Sequence, residues 1–345
     1  MKILIIGGTG FIGQRLVRKL HQQGEKIFLL SRPSSLEKAK SLFKDLSDIT
    51  FIRGDIQNTD LLTDVSQADT IGEQIDCIIH MAAVYELDVS ATEAHLQNVI
   101  GTQNVLKFIS RCKSLKYFHY FSTYAVNQVI KGKVFESDLI SENTVFYDEY
   151  ARSKNHAEHL VRKLAPKSIH TIIHRPGIVV GDSHSGVRDK DNGPYYFFNF
   201  IKQIKKLGKL SEKLKYLPLP VQKNSLMPVI PVDTLVDWSS LIIQYPKERT
   251  LSCYHLVPRG EIKTKEFLQL SIELMNSPLK IVSSPITGFF SPLFKVLQLP
   301  EQLVFYMRQE ATLDRGQLNQ DYPDLKEPDY NNYLPILIKE FEKGR

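Results

Sequence analysis

The chain has 345 residues, of which 42% are hydrophobic and 24% are charged, with a formal net charge of +6. This length and balance indicate a globular protein with either one large domain or two unequal ones. The positive charge suits a partner that carries phosphates. No zinc-ligand spacing or aromatic RNA-binding motif accompanies the charge, which argues against nucleic acid as that partner.

The three cysteines, Cys77, Cys112 and Cys253, lie far apart in the sequence. Their odd number and wide spacing indicate neither a disulfide framework nor a Cys-x-x-Cys site, which favours a reducing compartment. The first residues lack the pattern of a signal peptide, and no apolar run approaches the ~18 residues of a membrane span. We therefore expect a cytoplasmic protein.

A glycine-rich turn follows the first predicted strand, the apolar run at residues 3–6, and leads into a helical pattern. The free amides and the positive dipole end of a helix that starts in this way bind a pyrophosphate. Glycines there permit an unusual backbone turn and a close approach of the ligand. The turn is therefore predicted to bind a dinucleotide through the following residues: Gly7, Gly10, Phe11, Ile12 and Gly13.

The second predicted strand, at residues 26–30, ends at Ser31 and Arg32. A fold specific for NAD places an acidic residue about twenty positions after the glycine turn, where it binds the ribose hydroxyls. Serine followed by arginine is instead suited to a 2′-phosphate. The pattern favours NADP(H) over NAD(H) and over FAD.

Two further strands are predicted at residues 49–52 and 76–80, with helical spacers between the strands. This alternation indicates an α/β fold with right-handed βαβ units and a doubly wound parallel sheet of the Rossmann type. Ligands of such sheets lie across the carboxyl ends of the strands. Residues that follow the third and fourth strands are thus expected beside the cofactor: Asp55, Ile56, Ala82 and Ala83.

A fifth predicted strand, at residues 116–121, leads to Ser122 and Thr123, and a helix opens further on at Tyr150. A hydroxyl at a strand tip can hydrogen-bond a substrate carbonyl. The i,i+4 spacing places Tyr150 and Lys154 on one helix face. A phenol ordinarily has a pKa of about 10, and a nearby ammonium is expected to lower it.

These motifs resemble the extended short-chain dehydrogenase/reductase family. The glycine turn, residues 80–83, residues 98–102 and the tyrosine–lysine pair carry the resemblance, which covers residues 1–186 and is greatest to the fatty acyl-CoA reductase and thioester reductase branch, including MupV-like reductases. It implies that Thr123, Tyr150 and Lys154 are catalytic. It also implies a supporting role for Asn98 in a proton relay and contacts of Pro176 and Ile178 with the cofactor.

The resemblance implies NADPH-dependent reduction of a carbonyl, with a fatty acyl thioester or a derived aldehyde or ketone as substrate and acyl-CoA or an acyl carrier protein as its carrier. A nucleotide-sugar epimerase or dehydratase, or a hydroxysteroid-type dehydrogenase, is the alternative enzyme. The Ser31-Arg32 sequence argues against the epimerase, because such enzymes generally hold NAD. An NADPH-binding regulator is the alternative outside enzymes, and the retained Thr123, Tyr150 and Lys154 argue against it.

The predicted dinucleotide domain comprises residues 1–186, with its sheet completed by residues 227–256. Residues 187–226 and 257–345 are predicted to form a smaller substrate-binding lobe. Residues 228–233 resemble the family's return to the sheet, and further elements are predicted as a strand at 253–257 and a helix at 264–275. The sequence leaves the oligomeric state open, and a homodimer is compatible with it.

Two segments of this lobe leave alternatives open. Aromatic residues at 195–200 lead into lysines at 202–215, which we interpret as a core-facing stripe with a solvated lysine face; the alternative is a docking surface for an anionic membrane or an acidic carrier protein. The apolar residues 285–299 are broken by Gly288 and Pro292 and so cannot span a bilayer. We interpret them as ordinary packing, with a cover over a substrate tunnel or a peripheral membrane contact as alternatives. His156 and His159 lack a third ligand at metal spacing, so no metal is predicted.

Overall fold

The computed structural model describes residues 1–85, 89–206, 208, 215–260, 262–284 and 303–344. Its strands, in chain order, are β1 (Lys2–Ile6), β2 (Lys26–Ser31), β3 (Thr50–Arg53), β4 (Cys77–His80), β5 (Tyr117–Phe121), β6 (Gly132–Val134), β7 (His170–Pro176), β8 (Ile178–Val180), β9 (Tyr216–Leu219), β10 (Leu226–Met227), β11 (Val229–Pro231), β12 (Leu251–Leu256), β13 (Ile262–Lys263), β14 (Lys280–Ser283) and β15 (Ala311–Leu313).

The helices are α1 (Phe11–Gln22), α2 (Leu36–Leu42), α3 (Gln67–Gly72), α4 (Ala91–Ala94), α5 (Gly101–Ile109), α6 (Glu149–Leu164), α7 (Pro194–Lys206), α8 (Val232–Gln244), α9 (Thr264–Leu274), α10 (Leu303–Met307), α11 (Gly316–Asp321) and α12 (Tyr330–Glu342). Short 3₁₀ helices occupy Pro33–Ser35 and Tyr124–Asn127, and a π-helix occupies His95–Ile100. No helix of the described ranges is both long enough and apolar enough to cross a membrane.

A seven-stranded parallel sheet has the order β12-β7-β5-β4-β1-β2-β3. The apolar residues of β1 and β4 are buried on both faces of the sheet, as expected for strands covered by helices on each side. In the register of the sheet, Ile6 lies opposite Leu30 and His80. The segments that follow β1, β2 and β4 therefore meet at one edge, which confirms the predicted doubly wound sheet.

The glycine turn between β1 and α1 packs against the end of β4. Gly7 has a φ of +95°, and a Cβ atom at this residue would lie 2.5 Å from the Ala82 nitrogen. A Cβ atom at Gly13 would lie 2.3 Å from the Gly7 carbonyl oxygen. Side chains at these two positions would therefore push α1 and β4 away from the turn.

A π-helix at His95–Ile100 lies between α4 and α5. The Thr102 hydroxyl donates a hydrogen bond of 2.6 Å to the Asn98 carbonyl oxygen, and the Asn98 side chain is held by other elements. π-helical segments inside α-helices are frequent at functional sites. Helical periodicity alone does not distinguish this turn from an α-helix.

The second half of the chain has its own apolar core. Tyr195, Phe197, Phe198 and Phe200 of α7 are all at most 1% exposed and pack with α9 and α12, in agreement with the core-facing stripe predicted there. The Lys205 ammonium donates to the Met275 carbonyl oxygen. Residues 207 and 209–214, with two of the lysines, and the apolar residues 285–299 lie outside the described residues.

The predicted completion of the sheet is only partly observed. Within residues 227–256, β12 joins the edge of the large sheet beside β7. The segment expected to return to that sheet at 228–233 instead contains β11, which pairs in parallel with β8 in a separate two-stranded sheet. Gly177 lies between β7 and β8, where the backbone changes partner from Leu256 to Pro228. A Cβ atom there would lie 2.1 Å from the Pro228 carbonyl oxygen, so this close approach requires a glycine. The division of the chain into domains stays a prediction.

Candidate active site

A cavity of about 410 Å³ lies at the carboxyl edge of the large sheet. It extends from the glycine turn to the second half of the chain. The cavity brings together most of the residues that the sequence predicts at the site: Gly7, Gly10, Phe11, Ile12, Gly13, Ala83, Thr123, Tyr150, Lys154, Pro176 and Ile178. The remaining predicted residues are outside its wall: Ser31, Arg32, Asp55, Ile56, Ala82 and Asn98.

Ser31 and Arg32 follow β2, next to the glycine turn. Because Ile6 pairs with Leu30, Ser31 lies opposite Gly7 in the sheet. Ser31 is buried, and its hydroxyl has no hydrogen-bond partner among the described residues, whereas Arg32 is exposed. Buried hydroxyls are normally hydrogen-bonded. A dinucleotide on the glycine turn would fit this unpaired hydroxyl.

The loops that follow β3 and β4 lie at the same edge of the sheet and contain Asp55, Ile56 and Ala82. The Asp55 carboxylate accepts a hydrogen bond of 3.0 Å from the Gln57 backbone, and the Ile56 carbonyl oxygen accepts one of 2.8 Å from the Asn104 side chain. Ile56 is buried, and Ala82 lies against Gly7. The Asn104 bond ties the loop after β3 to α5, and Ala82 places the end of β4 against the glycine turn.

Lys154 reaches the cavity from α6, with its ammonium almost completely buried. Its Nζ donates a hydrogen bond of 2.5 Å to the Phe121 carbonyl oxygen and lies 4.4 Å from the centre of the Tyr120 ring. Burial lowers the pKa of Lys154 to about 7, although the charge of Glu158 opposes the shift. The lysine is thus poised to change its charge near neutral pH.

Tyr150 lies one helical turn before Lys154, and its ring packs edge-on against Tyr85 with 4.7 Å between ring centres. Burial raises the pKa of the Tyr150 phenol above its ordinary value, and a hydrogen bond with Thr123 opposes the rise. The predicted lowering by Lys154 is therefore wrong in direction for this structure, because desolvation dominates. A phenol with a raised pKa stays protonated at neutral pH and is suited to donate a proton.

The adjacent hydroxyls of Ser122 and Thr123 have different partners. Ser122 donates a hydrogen bond of 2.6 Å to Glu158, away from the phenol. Thr123 caps the 3₁₀ helix that follows it, by accepting a bond of 3.2 Å from the Ala125 backbone, and also interacts with Tyr150. The geometry brings Thr123, and not Ser122, to the phenol.

Asn98 lies in the π-helix and is nearly inaccessible. Its amide nitrogen donates to the Ser153 hydroxyl at 2.9 Å, and its amide oxygen accepts a bond of 2.9 Å from the Val84 backbone. These bonds join the loop after β4 to α6. Asn98 is therefore placed to orient α6 through Ser153, the residue before Lys154. The proton-relay role that the family resemblance implies for Asn98 stays a prediction.

Among the residues at the site that were not predicted from the sequence are two groups, besides the polar residues Arg188, Asp189 and Asn192 of the cavity wall. The first is the buried ion pair of Arg175 and Glu158, in which Nη2 of the arginine lies 2.6 Å from Oε1 of the carboxylate. An arginine inside a strand of the predicted central sheet could have indicated such a buried partner. The second is the apolar far wall of the cavity, whose segments carry no motif: Phe197, Leu226, Met227, Leu268 and Met307.

The family of this chain is identified by its similarity to known proteins. Residues 5–238 match the family model for NAD-binding domains described as male sterility protein. The chain belongs to this family. The family model and the reductase relatives make it an NAD(P)-dependent oxidoreductase of the extended short-chain dehydrogenase/reductase type, which confirms the predicted family and cofactor class.

Curated relatives of this reductase include much longer proteins. A linear gramicidin synthase of Brevibacillus parabrevis is 28% identical over 241 residues, which are 65% of this chain and 5% of the relative. L-2-aminoadipate reductase of Saccharomyces cerevisiae is 26% identical over 301 residues, which are 78% of this chain and 20% of the relative. The chain therefore spans a fifth or less of the length of these two relatives.

Among solved structures, the terminal R domain from the myxalamid PKS-NRPS biosynthetic pathway has a TM-score of 0.81 and 21% sequence identity, covering 99% of this chain and 91% of that domain. MoeE5 in complex with UDP-glucuronic acid and NAD has a TM-score of 0.66 and 16% identity, with complete coverage of both chains. At these identities, the likeness shows that the reductase shares their fold.

Proposed function

We propose that this reductase uses NADPH to reduce the carbonyl of an apolar acyl thioester or of a derived aldehyde. The observation that carries the proposal is the continuous cavity, which joins the glycine turn, the Thr123–Tyr150–Lys154 group and an apolar far wall. Apolar walls with a few polar groups at one end are typical of sites that bind an apolar chain and orient its reactive end.

Each polar residue has a role that follows from its surroundings. The bound reduced nicotinamide would supply the hydride. Tyr150 donates the proton to the carbonyl oxygen, since its raised pKa keeps the phenol protonated. Thr123 hydrogen-bonds the same oxygen, and the Lys154 ammonium stabilises the phenolate that proton donation leaves and binds a ribose hydroxyl.

A preference for NADPH is supported by the edge formed by β2 and β3. Arg32 is exposed there beside the buried Ser31. Arg53, at the end of β3, is also exposed and pairs with Ser31 in the register of the two strands. Two guanidinium groups at one edge suit a 2′-phosphate, because arginine binds phosphate oxygens with charge-assisted hydrogen bonds.

The carrier of the thioester is proposed to be an acyl carrier protein or coenzyme A. The similarity to a terminal R domain of a PKS-NRPS pathway supports this choice. The apolar side chains of Phe197, Leu268 and Met307 support an acyl chain over a nucleotide sugar, because they offer sugar hydroxyls no hydrogen-bond partner. The polar residues Arg188, Asp189 and Asn192 line another part of the same cavity.

Turnover of NADPH with a panel of acyl-CoAs, aldehydes, ketosteroids and nucleotide sugars tests the proposal through the absorbance of the reduced nicotinamide. We expect oxidation with long-chain acyl-CoAs or aldehydes and a loss of at least about 10²-fold in Tyr150→Phe, the usual contribution of a positioned acid. Tyr245→Phe, in which an exposed tyrosine changes, is the control. Conversion of a nucleotide sugar would favour the epimerase alternative, and NADPH binding without any turnover would favour the regulator.

The cofactor preference is tested by titrating NADPH and NADH into Arg32→Ala and Arg111→Ala. Arg111 is the control because it lies just before β5, at the amino ends of the strands and thus away from the cofactor, where it pairs with Asp69. Loss of a charge-assisted bond should weaken NADPH by about ten- to a hundredfold in Arg32→Ala and leave NADH unchanged. Equal affinity of the unmodified protein for both cofactors would contradict the preference.

A further inference from the structure

The start of α6, the helix that carries Tyr150 and Lys154, is held from the C-terminal part of the chain. Asp148 caps this helix: its Oδ1 accepts a hydrogen bond of 2.7 Å from the Ala151 backbone. The other carboxylate oxygen, Oδ2, accepts a hydrogen bond of 2.7 Å from the hydroxyl of Tyr306 in α10. One carboxylate therefore links α10 to the first turn of α6.

A second contact joins the same two segments. The rings of Tyr147 and Phe305 stack with 4.2 Å between their centres and an angle of 3° between their planes. Phe305 thus pairs with Tyr147 as Tyr306 pairs with Asp148. Tyr306 also packs against a buried cluster that includes Ala151, and it lines the cavity.

From these contacts we infer that Tyr306 is a positioning residue, which acts through Asp148 to hold the phenol of Tyr150 in place. The inference rests on the proposed role of Tyr150. Asp148 is only 7% exposed, so water cannot readily replace the Tyr306 hydroxyl as a partner of its Oδ2. Without that partner the carboxylate turns away from Ala151, the helix loses its cap, and its first turn, with Tyr150, becomes mobile.

Amide hydrogen exchange tests this link without any substrate. Tyr306→Phe keeps the ring and removes the hydroxyl, and we expect faster exchange in peptides that cover residues 149–154. Tyr322→Phe is the matched control, because it removes a hydroxyl that donates a 2.9 Å bond to the Tyr245 carbonyl oxygen and does not line the cavity. The control should leave exchange in α6 unchanged. Unchanged exchange there in Tyr306→Phe would overturn the inference, whatever the substrate proves to be.

Kinetics then separate positioning from direct contact with substrate, with NADPH and decanal as the probe. We expect kcat to fall by about tenfold in Tyr306→Phe, since small misplacements of a catalytic group are costly, while NADPH affinity is retained. Asp148→Ser can still cap α6 but lacks the second carboxylate oxygen. A double variant no slower than Asp148→Ser supports action through Asp148, whereas losses that multiply would place Tyr306 on the substrate and overturn the positioning role.

If decanal is not reduced by the unmodified protein, the exchange experiment decides the inference alone. Faster exchange in Tyr306→Phe would then support the link between α10 and α6 while the proposed reaction fails. The two failures are thus distinguishable.

Discussion

Two buried charges, Lys154 and Glu158, lie one turn apart on α6, and their surroundings differ. Glu158 accepts hydrogen bonds from Arg175, Arg162 and Ser122. Burial alone would raise the pKa of Glu158, but the two arginines and the hydroxyl lower it to about 2. Lys154 has a hydrogen bond to one carbonyl oxygen, and burial lowers its pKa to about 7. One charge is strongly compensated by its neighbours, and the other is not.

This difference separates a structural ion from a candidate catalytic one. An ammonium has three donors, and the hydrogen bond to Phe121 uses one of them. Lys154 also lines the cavity, so its other donors can serve a ligand. Burial alone does not identify the site, since both charges are buried; incomplete compensation next to a cavity does.

The largest expected effect concerns the compensated charge. Arg175→Met should destabilise the protein by about 3–5 kcal/mol at pH 7, because Glu158 remains buried without its main partner. Urea unfolding measures the change. The matched control is Arg111→Met, which breaks an exposed ion pair with Asp69 and should change stability by about 0–1 kcal/mol.

The stability difference between Arg175→Met and the unmodified protein should also depend on pH. The pKa of Glu158 is lowered from 4.5 to about 2 on folding, so its stabilising contribution is complete above pH 4.5 and is lost as the pH falls towards 2. The gap between Arg175→Met and the unmodified protein should therefore narrow at low pH. A gap that is constant over this range, or that equals the effect of Arg111→Met, would contradict the assigned role of the pair.

The cofactor side of the molecule could be predicted from the sequence because its signals are local. Residues 3–13 contain the strand, the turn and the start of the helix in one stretch, and strand order then places Ser31, Ala83 and Thr123 at the same edge. Parallel strands bring their carboxyl ends together in every fold of this kind. Local patterns therefore sufficed for the fold, the glycine turn and the Thr123–Tyr150–Lys154 group.

What could not be predicted depends on contacts between distant residues. Glu158 and Arg175 meet across 17 positions, and the wall at Phe197 and Met307 joins segments without a motif. The pKa of Tyr150 rises because the phenol is buried, in part by the ring of Tyr85. Tyr85 comes from the loop after β4, and the sequence does not reveal the path of that loop. Spacing alone therefore gave the correct helix face and the wrong direction of the shift.

A second prediction follows from the uncompensated charge. Because the pKa of Lys154 is about 7, its ammonium is present below that pH and lost above it. If the ammonium stabilises the Tyr150 phenolate, the rate of carbonyl reduction should fall by about tenfold from pH 6 to pH 8. Single-turnover rates at saturating NADPH measure this. A flat profile, or a rate that rises with pH, would show that the lysine's charge is not used.

The smallest expected effects divide the two hydroxyls at the end of β5. Ser122→Ala removes the donor to Glu158 and should reduce stability by about 1.5 kcal/mol, with turnover little changed. Thr123→Val removes the hydroxyl beside Tyr150 and should reduce turnover by about tenfold. Thr123→Ser keeps a hydroxyl and should retain most of the turnover, which separates the loss of the hydrogen bond from a change in packing.

The compensated charge of Glu158 and the uncompensated charge of Lys154 thus predict opposite outcomes for Ser122 and Thr123. If Ser122→Ala loses turnover and Thr123→Val retains it, the substrate carbonyl binds at Ser122, and the distinction drawn between the two surroundings is wrong.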